Sequence, residues 1–529
     1  MKKNSIHLVF LIFFLTISNC TNNNSIDYSQ VFRYNEHKNI NSLDPAFAKD
    51  VANIQVVNQL FNGLVEMDEE LRVIPSIAKS WKISEDGLTY NFVLNKNVKF
   101  HKHPKLKHRH VTADDFVYSF NRLLNPKLAS PGGWVFDKVD SYRAINDTIL
   151  EIKLKDPFNA FLGLLTMKYC SVVPKEVVEF YGNDFRSNPI GTGPFKFKRW
   201  EENIKLVLRR NNDYFQKDSN GNNLPYLEAI AITFLQDKQS EFLQFIQENI
   251  DFVSGLDDSY KDEIINTKGE LKNEYVDKIT LLRGPYLNTE YLAFFLDSNK
   301  NEISSEILRK AINHGFDRNK MIKYLRNGIG IPANAGFIPM GLPGYSENIG
   351  YEYKPEYAKE LIKQFKKEYN HSPSLKLTTT SNYLVFCEYI QKELDKIGLD
   401  ISIDVIPGSS LKEAKANGKL DFFRASWVAD YPDAENYLSL FYSKNFAPKG
   451  PNYTHFADEE FDLLYENALG ETNPNKIEIL YKKMDSLIIS KSIIVPLFYD
   501  EVIRFTRKDL NGMKINATNL LDLRYVKKL

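Results

Sequence analysis

The sequence predicts an α/β protein built on a mixed sheet, and three observations carry that prediction. Several segments alternate apolar and polar residues as strands do, capped amphipathic helices fall between them, and the chain is long and apolar enough for more than one core. Strand signals come first: "LTYNFVLNKNVKF" (88–100) and "TILEIKLKD" (148–156) alternate like half-buried strands, and "ITFLQDKQSEFLQFIQENIDFV" (232–253) reads strand, helix, strand. The first half thus has α+β character. Later helices are better marked. Ser304 or Ser305 can cap "SEILRKAINHGF", Pro355 occupies a first helical turn ahead of "EYAKELIKQFKKEY", and Gly398 closes "YLVFCEYIQKELDKIG". That last helix runs into a strand, "LDISIDVIP", then through a helical "SLKEAKANG" into "KLDFFRASWVAD", a βαβ-type succession that feeds a mixed sheet.

Composition narrows the function. With 529 residues, 43% of them hydrophobic, the chain can form two or three domains. Lysine plus arginine number 68 and aspartate plus glutamate number 68, so the net charge is zero and no long-range attraction to nucleic acid or to an acidic membrane is expected. Any partner is recognised locally.

At the N-terminus, Lys2 and Lys3 precede a largely apolar run, Ile6 to Ile17, of secretory-signal length and too short to span a bilayer. Ile17-Ser18-Asn19-Cys20 resembles the lipobox of bacterial lipoproteins, with Asn19 in place of the usual glycine or alanine. Residues 1–19 are therefore expected to be a lipoprotein signal peptide, Cys20 the lipid anchor, and 20–26 a flexible tether. The protein is expected outside the cytoplasm, periplasmic or extracytoplasmic, and held to the membrane by lipid. Cys170 and Cys387 could pair in an oxidising compartment, but two buried free thiols suit their spacing better.

Catalytic and metal signatures are weak. "PIGTGPF" (189–195) lacks the GK[ST] that grips phosphate, no G-x-S-x-G elbow occurs, and no triad follows from spacing. No enzyme and no cofactor is expected; a secreted hydrolase is the rival class. Histidines 101, 103, 108 and 110 in "HKHPKLKHRH" are interleaved with lysine and arginine, which oppose a cation. The stretch reads as a solvated basic loop, without metal.

"RASWVADYPDAENY" (424–437) ends a strand-like run with opposite charges around an indole. Together with "NSLDPAFA" (41–48), "QLFNGLVEMD" (59–68), "PSIAKSWKISEDGLTYNFVLNKNVKF" (75–100), "VTADDFVYSFNRLLNP" (111–126), "NPIGTGPFKFKRW" (188–200) and "LRKAINHGFDRNKMI" (308–322), it resembles the successive signatures of the dipeptide- and oligopeptide-binding proteins of ABC importers, the bacterial extracellular solute-binding proteins of family 5. The resemblance implies an α/β, periplasmic-binding-protein-like fold (type II, cluster C), with two hinged lobes and an extra α+β domain. Lobe I would comprise 27–55, 186–283 and 500–529, the extra domain 56–185, and the second lobe 284–499. It also implies a monomer that captures peptides between its lobes and delivers them to ABC permease subunits. A sugar, opine, haem or nickel complex is the alternative cargo.

A free peptide is a zwitterion, so a cleft that removes it from water needs an anion for its ammonium and a cation for its carboxylate. By the resemblance, Asp430 clamps the amino terminus, Arg424 can meet the carboxylate of a short peptide, and Trp427 lines a side-chain pocket. Taken alone, Arg424 could as well pair with Asp421 or Asp433. If 424–430 ran straight it would span about 20 Å, against about 10 Å for a tripeptide, so the segment bends or another residue takes one end. The strand "GPYLNTEYLAFF" (284–295) is expected to form the other wall, offering its backbone to the ligand. Its Tyr286 and Tyr291 match ligand-contacting aromatics of similar proteins, though ordinary sheet packing also accounts for them. Lys415 stands where a relative carries a second basic cleft residue, and is otherwise solvated surface. Phe295 and Ala293 replace the asparagine and glutamate of some relatives, which leaves the cargo class open.

Overall fold

A computed structural model describes residues 28–107, 109–257, 259–297 and 302–529; the signal segment, Cys20, the tether and His108 lie outside the described residues. An eleven-stranded mixed sheet organises the chain. In chain order its strands are β1 (Val31–Asn35), β2 (Phe195–Glu201), β3 (Lys205–Arg210), β4 (Ala229–Thr233), β5 (Phe252–Ser254), β6 (Ile279–Phe294), β7 (Ile331–Pro332), β8 (Ser374–Thr379), β9 (Asp400–Val405), β10 (Phe422–Val428) and β11 (Ile494–Arg507). They lie side by side as β9-β8-β10-β6-β11-β5-β1-β4-β3-β2, with β7 on β11. The two strands of the βαβ succession read from 399–430 become β9 and β10, which do not pair with each other but run parallel on either side of β8, a strand the sequence reading did not name.

Two long strands join the halves of this sheet. Residues 279–285 of β6 pair with 501–507 of β11, whose far edge takes β5. Residues 289–293 of β6 pair with 494–499 of β11, while the other edge of β6 takes β10. The register shifts between Pro285 and Thr289, where proline has no amide to give the ladder. Beyond the shift, β6 is buried on both faces: Leu292 and Phe294 join one apolar cluster, Tyr291 and Ala293 another.

Local signals placed several helix ends well. Ser305, rather than Ser304, caps the helix Glu306–His314 by accepting from the Leu308 amide at 3.4 Å. Pro355 opens the helix Pro355–Tyr369. Gly398 takes a positive φ of 87° just after the helix Leu384–Asp395. The segment 232–253 resolves into β4, a helix Lys238–Ile246 capped by Asp237, and β5.

A separate four-stranded antiparallel sheet, ordered Ala78–Ile83, Thr89–Leu94, Ile149–Leu154, Val139–Asn146, packs against the helix Ala113–Leu123. The strand expected over 88–100 ends at Leu94; beyond it, only an isolated bridge links Lys99 to His110. Cys170 and Cys387 are buried, free, and in different apolar clusters.

Candidate functional site

A cleft of about 580 Å³ lies where the chain's far-apart segments meet, a volume suited to a small organic ligand. Its walls are drawn from Ala48 to Ser76, from Thr166 to Tyr169, from Tyr286 on β6, from Val428 to Pro432 after β10, and from Gly512 to Tyr525. Of the residues singled out in the sequence, Asp430 and Tyr286 line it.

Asp430 is reached by water through the cleft, yet protein surrounds it closely enough that burial raises its carboxyl above the usual value, opposed by a hydrogen bond from Asn436. No lysine, arginine or histidine pairs with it among the described residues. Its charge helps raise the Tyr169 phenol to about 12, chiefly a burial effect. The Tyr286 phenol is likewise pushed to about 12 by burial, with the charges of Asp500 and Glu290 adding to it.

Asn436, which sequence reasoning missed, sets this corner. Its side-chain oxygen accepts from the Trp427 indole at 2.9 Å and from the Asp430 amide at 3.1 Å. The indole is thereby turned into the protein and is not part of the cleft wall. Beneath the loop, Glu435 accepts from the hydroxyls of Tyr431 and Tyr465, and Asp433 accepts from Tyr481 at 2.8 Å. Burial raises both carboxyls, so this scaffold rests on hydroxyl partners rather than on cations. Tyr431 itself is buried in the cluster that includes Phe161 and Tyr90, with Gly163 beside its ring. Tyr431→Ala is expected to lower stability by about 3 kcal/mol, and Tyr431→Phe, which keeps the ring, by about 1 kcal/mol. Urea unfolding of the two variants checks the ordering.

Arg424 is engaged elsewhere. Its guanidinium pairs with Glu290 on the adjacent β6 and stacks 3.3 Å from the Tyr383 ring centre. The carboxylate partner is therefore neither Asp421 nor Asp433. Glu290 is 3% exposed and also accepts from Asn288 at 3.1 Å and Tyr383 at 3.3 Å. Burial raises its carboxyl against the opposing pull of Arg424.

Tyr291 packs edge-on to Phe337 at 5.0 Å and is buried. The wall expected from 284–295 is thus mostly interior, because β10 and β11 already bond its backbone from Thr289 onward; of its residues Tyr286, within the register shift, reaches the cleft. Lys415 is half-buried rather than solvated, with its ammonium 4.3 Å from the Tyr453 ring and lowered to about 8 by burial and then by Arg424. It does not line the cleft.

The histidine segment departs from expectation at two residues, His101 and Arg109. His101 is buried; its Nε2 donates to Gly193 O at 3.0 Å and its Nδ1 accepts from the Gly191 amide at 3.4 Å, so burial and neutrality suit it. It pins the "GTGP" turn, whose glycines permit close approach to the end of the helix Val51–Leu60: a Cβ on Gly191 would lie 2.1 Å from Leu60 O. Arg109 bridges Asp115 at 2.6 Å and Glu176 at 2.7 Å. Lys102, Lys105, Lys107 and His110 are exposed as a solvated basic loop requires, while His101 and Arg109 act as a structural clamp. Among the described residues no group of three or more histidine, cysteine, aspartate or glutamate side chains is placed to hold a metal.

Comparisons with known proteins agree on one family. Residues 72–449 match the description "Bacterial extracellular solute-binding proteins, family 5 Middle". The chain is 26% identical over 482 residues to the dipeptide-binding protein of Escherichia coli (strain K12), covering 86% of each chain. The structure superposes on HbpA2 from Haemophilus parasuis with a TM-score of 0.83 at 22% identity, covering 94% of this chain and 100% of that one. It superposes on the periplasmic binding protein DppA from Helicobacter pylori in complex with the peptide STSA with a TM-score of 0.76 at 25% identity, covering 94% and 98%.

Proposed function

This chain belongs to the bacterial extracellular solute-binding proteins of family 5, the binding components of ABC importers, and on that premise we propose that it captures peptides in the cleft beside Asp430 and hands them to an ABC permease without chemical change. One observation carries the reading: Asp430 presents a water-exposed carboxylate to the cleft, and among the described residues no cation pairs with it. A peptide ammonium supplies that cation. The curated relative is a dipeptide-binding protein, and the Helicobacter pylori relative was solved with a bound tetrapeptide.

Capture works by closure. Hinges at 284 and 500 would divide the chain into 27–55, 186–283 and 500–529 on one side, 284–499 on the other, and 56–185 as the extra domain; the interrupted ladder near Pro285 on β6 and Tyr499 on β11 supports this reading. A hinge of this kind lets ligand stabilise the closed form through contacts that both sides contribute. Cys20 serves as the lipid attachment that keeps the carrier near its permease, and the carrier acts as a monomer.

A peptide at a hundredfold excess over its dissociation constant is expected to stabilise the protein by about 2.7 kcal/mol, read as a raised melting temperature. Mass spectrometry of ligand released from natively purified protein identifies the cargo, and peptides incubated with the protein are expected back intact. Release of a sugar or opine with no melting shift from any peptide would overturn the peptide reading, and cleavage products would overturn the carrier reading.

A further inference from the structure

A cation on the cleft wall has no role in the contacts described so far. Lys168 sits in the short turn Lys168–Cys170 and its side chain lines the cleft. Most of the other charged groups there are paired: Arg524 with Glu66 and with Asp522 at 2.7 Å each, Lys514 with Glu69 at 2.5 Å, and Arg72 with Asp68 at 2.7 Å. Lys49, also on the cleft wall, is exposed. Lys168 differs from all of these. Among the described residues no acceptor lies within hydrogen-bond reach of its ammonium, and no carboxylate within ion-pair reach. Glu66 and Asp522 are near enough to favour its charge, but both are committed to Arg524, and burial lowers the ammonium to about 8. An ammonium has three donors to satisfy, and a cleft that shuts out water leaves them dry at a cost of several kcal/mol.

Asp430 is the converse case, an anion on the 428–432 wall without a cation. Opposite Asp430 the cleft therefore holds two unengaged cations, the exposed Lys49 and the more deeply set Lys168, and Lys168 lies on a segment far from Asp430 in sequence. Arg424, the candidate for a peptide's carboxylate, is spent on Glu290.

We propose that Lys168 receives the carboxylate end of the ligand whose ammonium Asp430 receives, so that the cleft selects free zwitterions over peptides with a blocked C-terminus. The proposal rests on the peptide reading and specifies its second charged contact. One molecule then bridges the 166–169 and 428–432 walls, and both charges are satisfied only when the two walls close on it.

Native mass spectrometry of the full chain, stripped of co-purified ligand, tests this with a random tripeptide library bearing free C-termini and the same library amidated. The parent is expected to prefer the acid library at least about tenfold. Lys168→Met is expected to bind the acid library no better than the amide while holding the amide as the parent does, and Lys168→Arg to restore the preference. Circular dichroism of each variant verifies folding, and Lys168→Gln replaces Lys168→Met if the latter does not fold. Retention of the full acid preference by Lys168→Met, or equal binding of both libraries by the parent, would overturn the assignment and leave peptide binding standing. If the parent bound neither library, the peptide reading itself would fail and this contact with it.

Discussion

Asp430→Asn is expected to weaken peptide binding by about 2–5 kcal/mol, or roughly thirtyfold to several thousandfold, because truncating one partner of a desolvated charge pair leaves the other charge unmatched. The ligand-free protein should melt as the parent does, or slightly higher. Burial already opposes ionisation of this carboxyl, and the water that reaches it keeps that effect small. A pH signature accompanies the substitution. The ligand ammonium needs the ionised carboxylate, whose titration in the free protein lies above the usual 3.8. Parent affinity should thus fall as pH drops through that raised value, whereas the Asp430→Asn variant should be flat across the same acid window. Calorimetric titration against one peptide at several pH values measures both effects. Equal affinity of variant and parent would rule out the amine contact.

The second large effect concerns stability. Arg424→Met is expected to destabilise the protein by about 3–5 kcal/mol, since it leaves Glu290 as a buried carboxylate without its cation. Glu290→Gln should cost a similar amount from the other side. The double substitution should cost less than the sum, because neither charge is then stranded. The loss after Arg424→Met should also grow with pH. Glu290 titrates near 4.5 in the unfolded chain and higher when folded, so the folded form binds the proton more tightly. Stability from that proton is full below the unfolded value and is lost as pH rises through the folded one. Removing Arg424 takes away the interaction that opposes this shift and widens the window. Urea unfolding at acid and neutral pH checks the sign. Were Arg424 instead a ligand contact, its substitution would abolish the preference for free C-termini with stability unchanged.

Local chemistry made much of the fold legible. Pro355 and Gly398 mark helix ends through backbone constraints of their own, and the alternation of "LDISIDVIP" and "KLDFFRASWVAD" reflects a two-residue period that survives in β9 and β10. The strand over 88–100 was overextended for an instructive reason. Val98 and Phe100 are buried although they leave the ladder after Leu94, and alternation reports burial rather than pairing. His101 was misplaced among its lysines because its partners, Gly191 and Gly193, lie about 90 positions on.

The site divided along the same line. Asp430 keeps its sequence reading as a proposal, because among the described residues no distant cation folds back to pair with it. Arg424 was not legible, because its partner Glu290 is 134 positions away and becomes a neighbour only when β6 and β10 pair. Asn436 looked like one more polar residue in a turn until the loop folded back over Trp427. Lys168, in the plain stretch "TMKYC", gave no signal at all.

By itself, then, the order of residues settled the α/β class, the family signatures and the presence of both charge signs around an indole. Only the folded arrangement decided which charges cancel internally and which stay open to a guest. Whether a charge is neutralised depends on what lies within a few ångströms of it in space, and separation along the chain does not encode that distance.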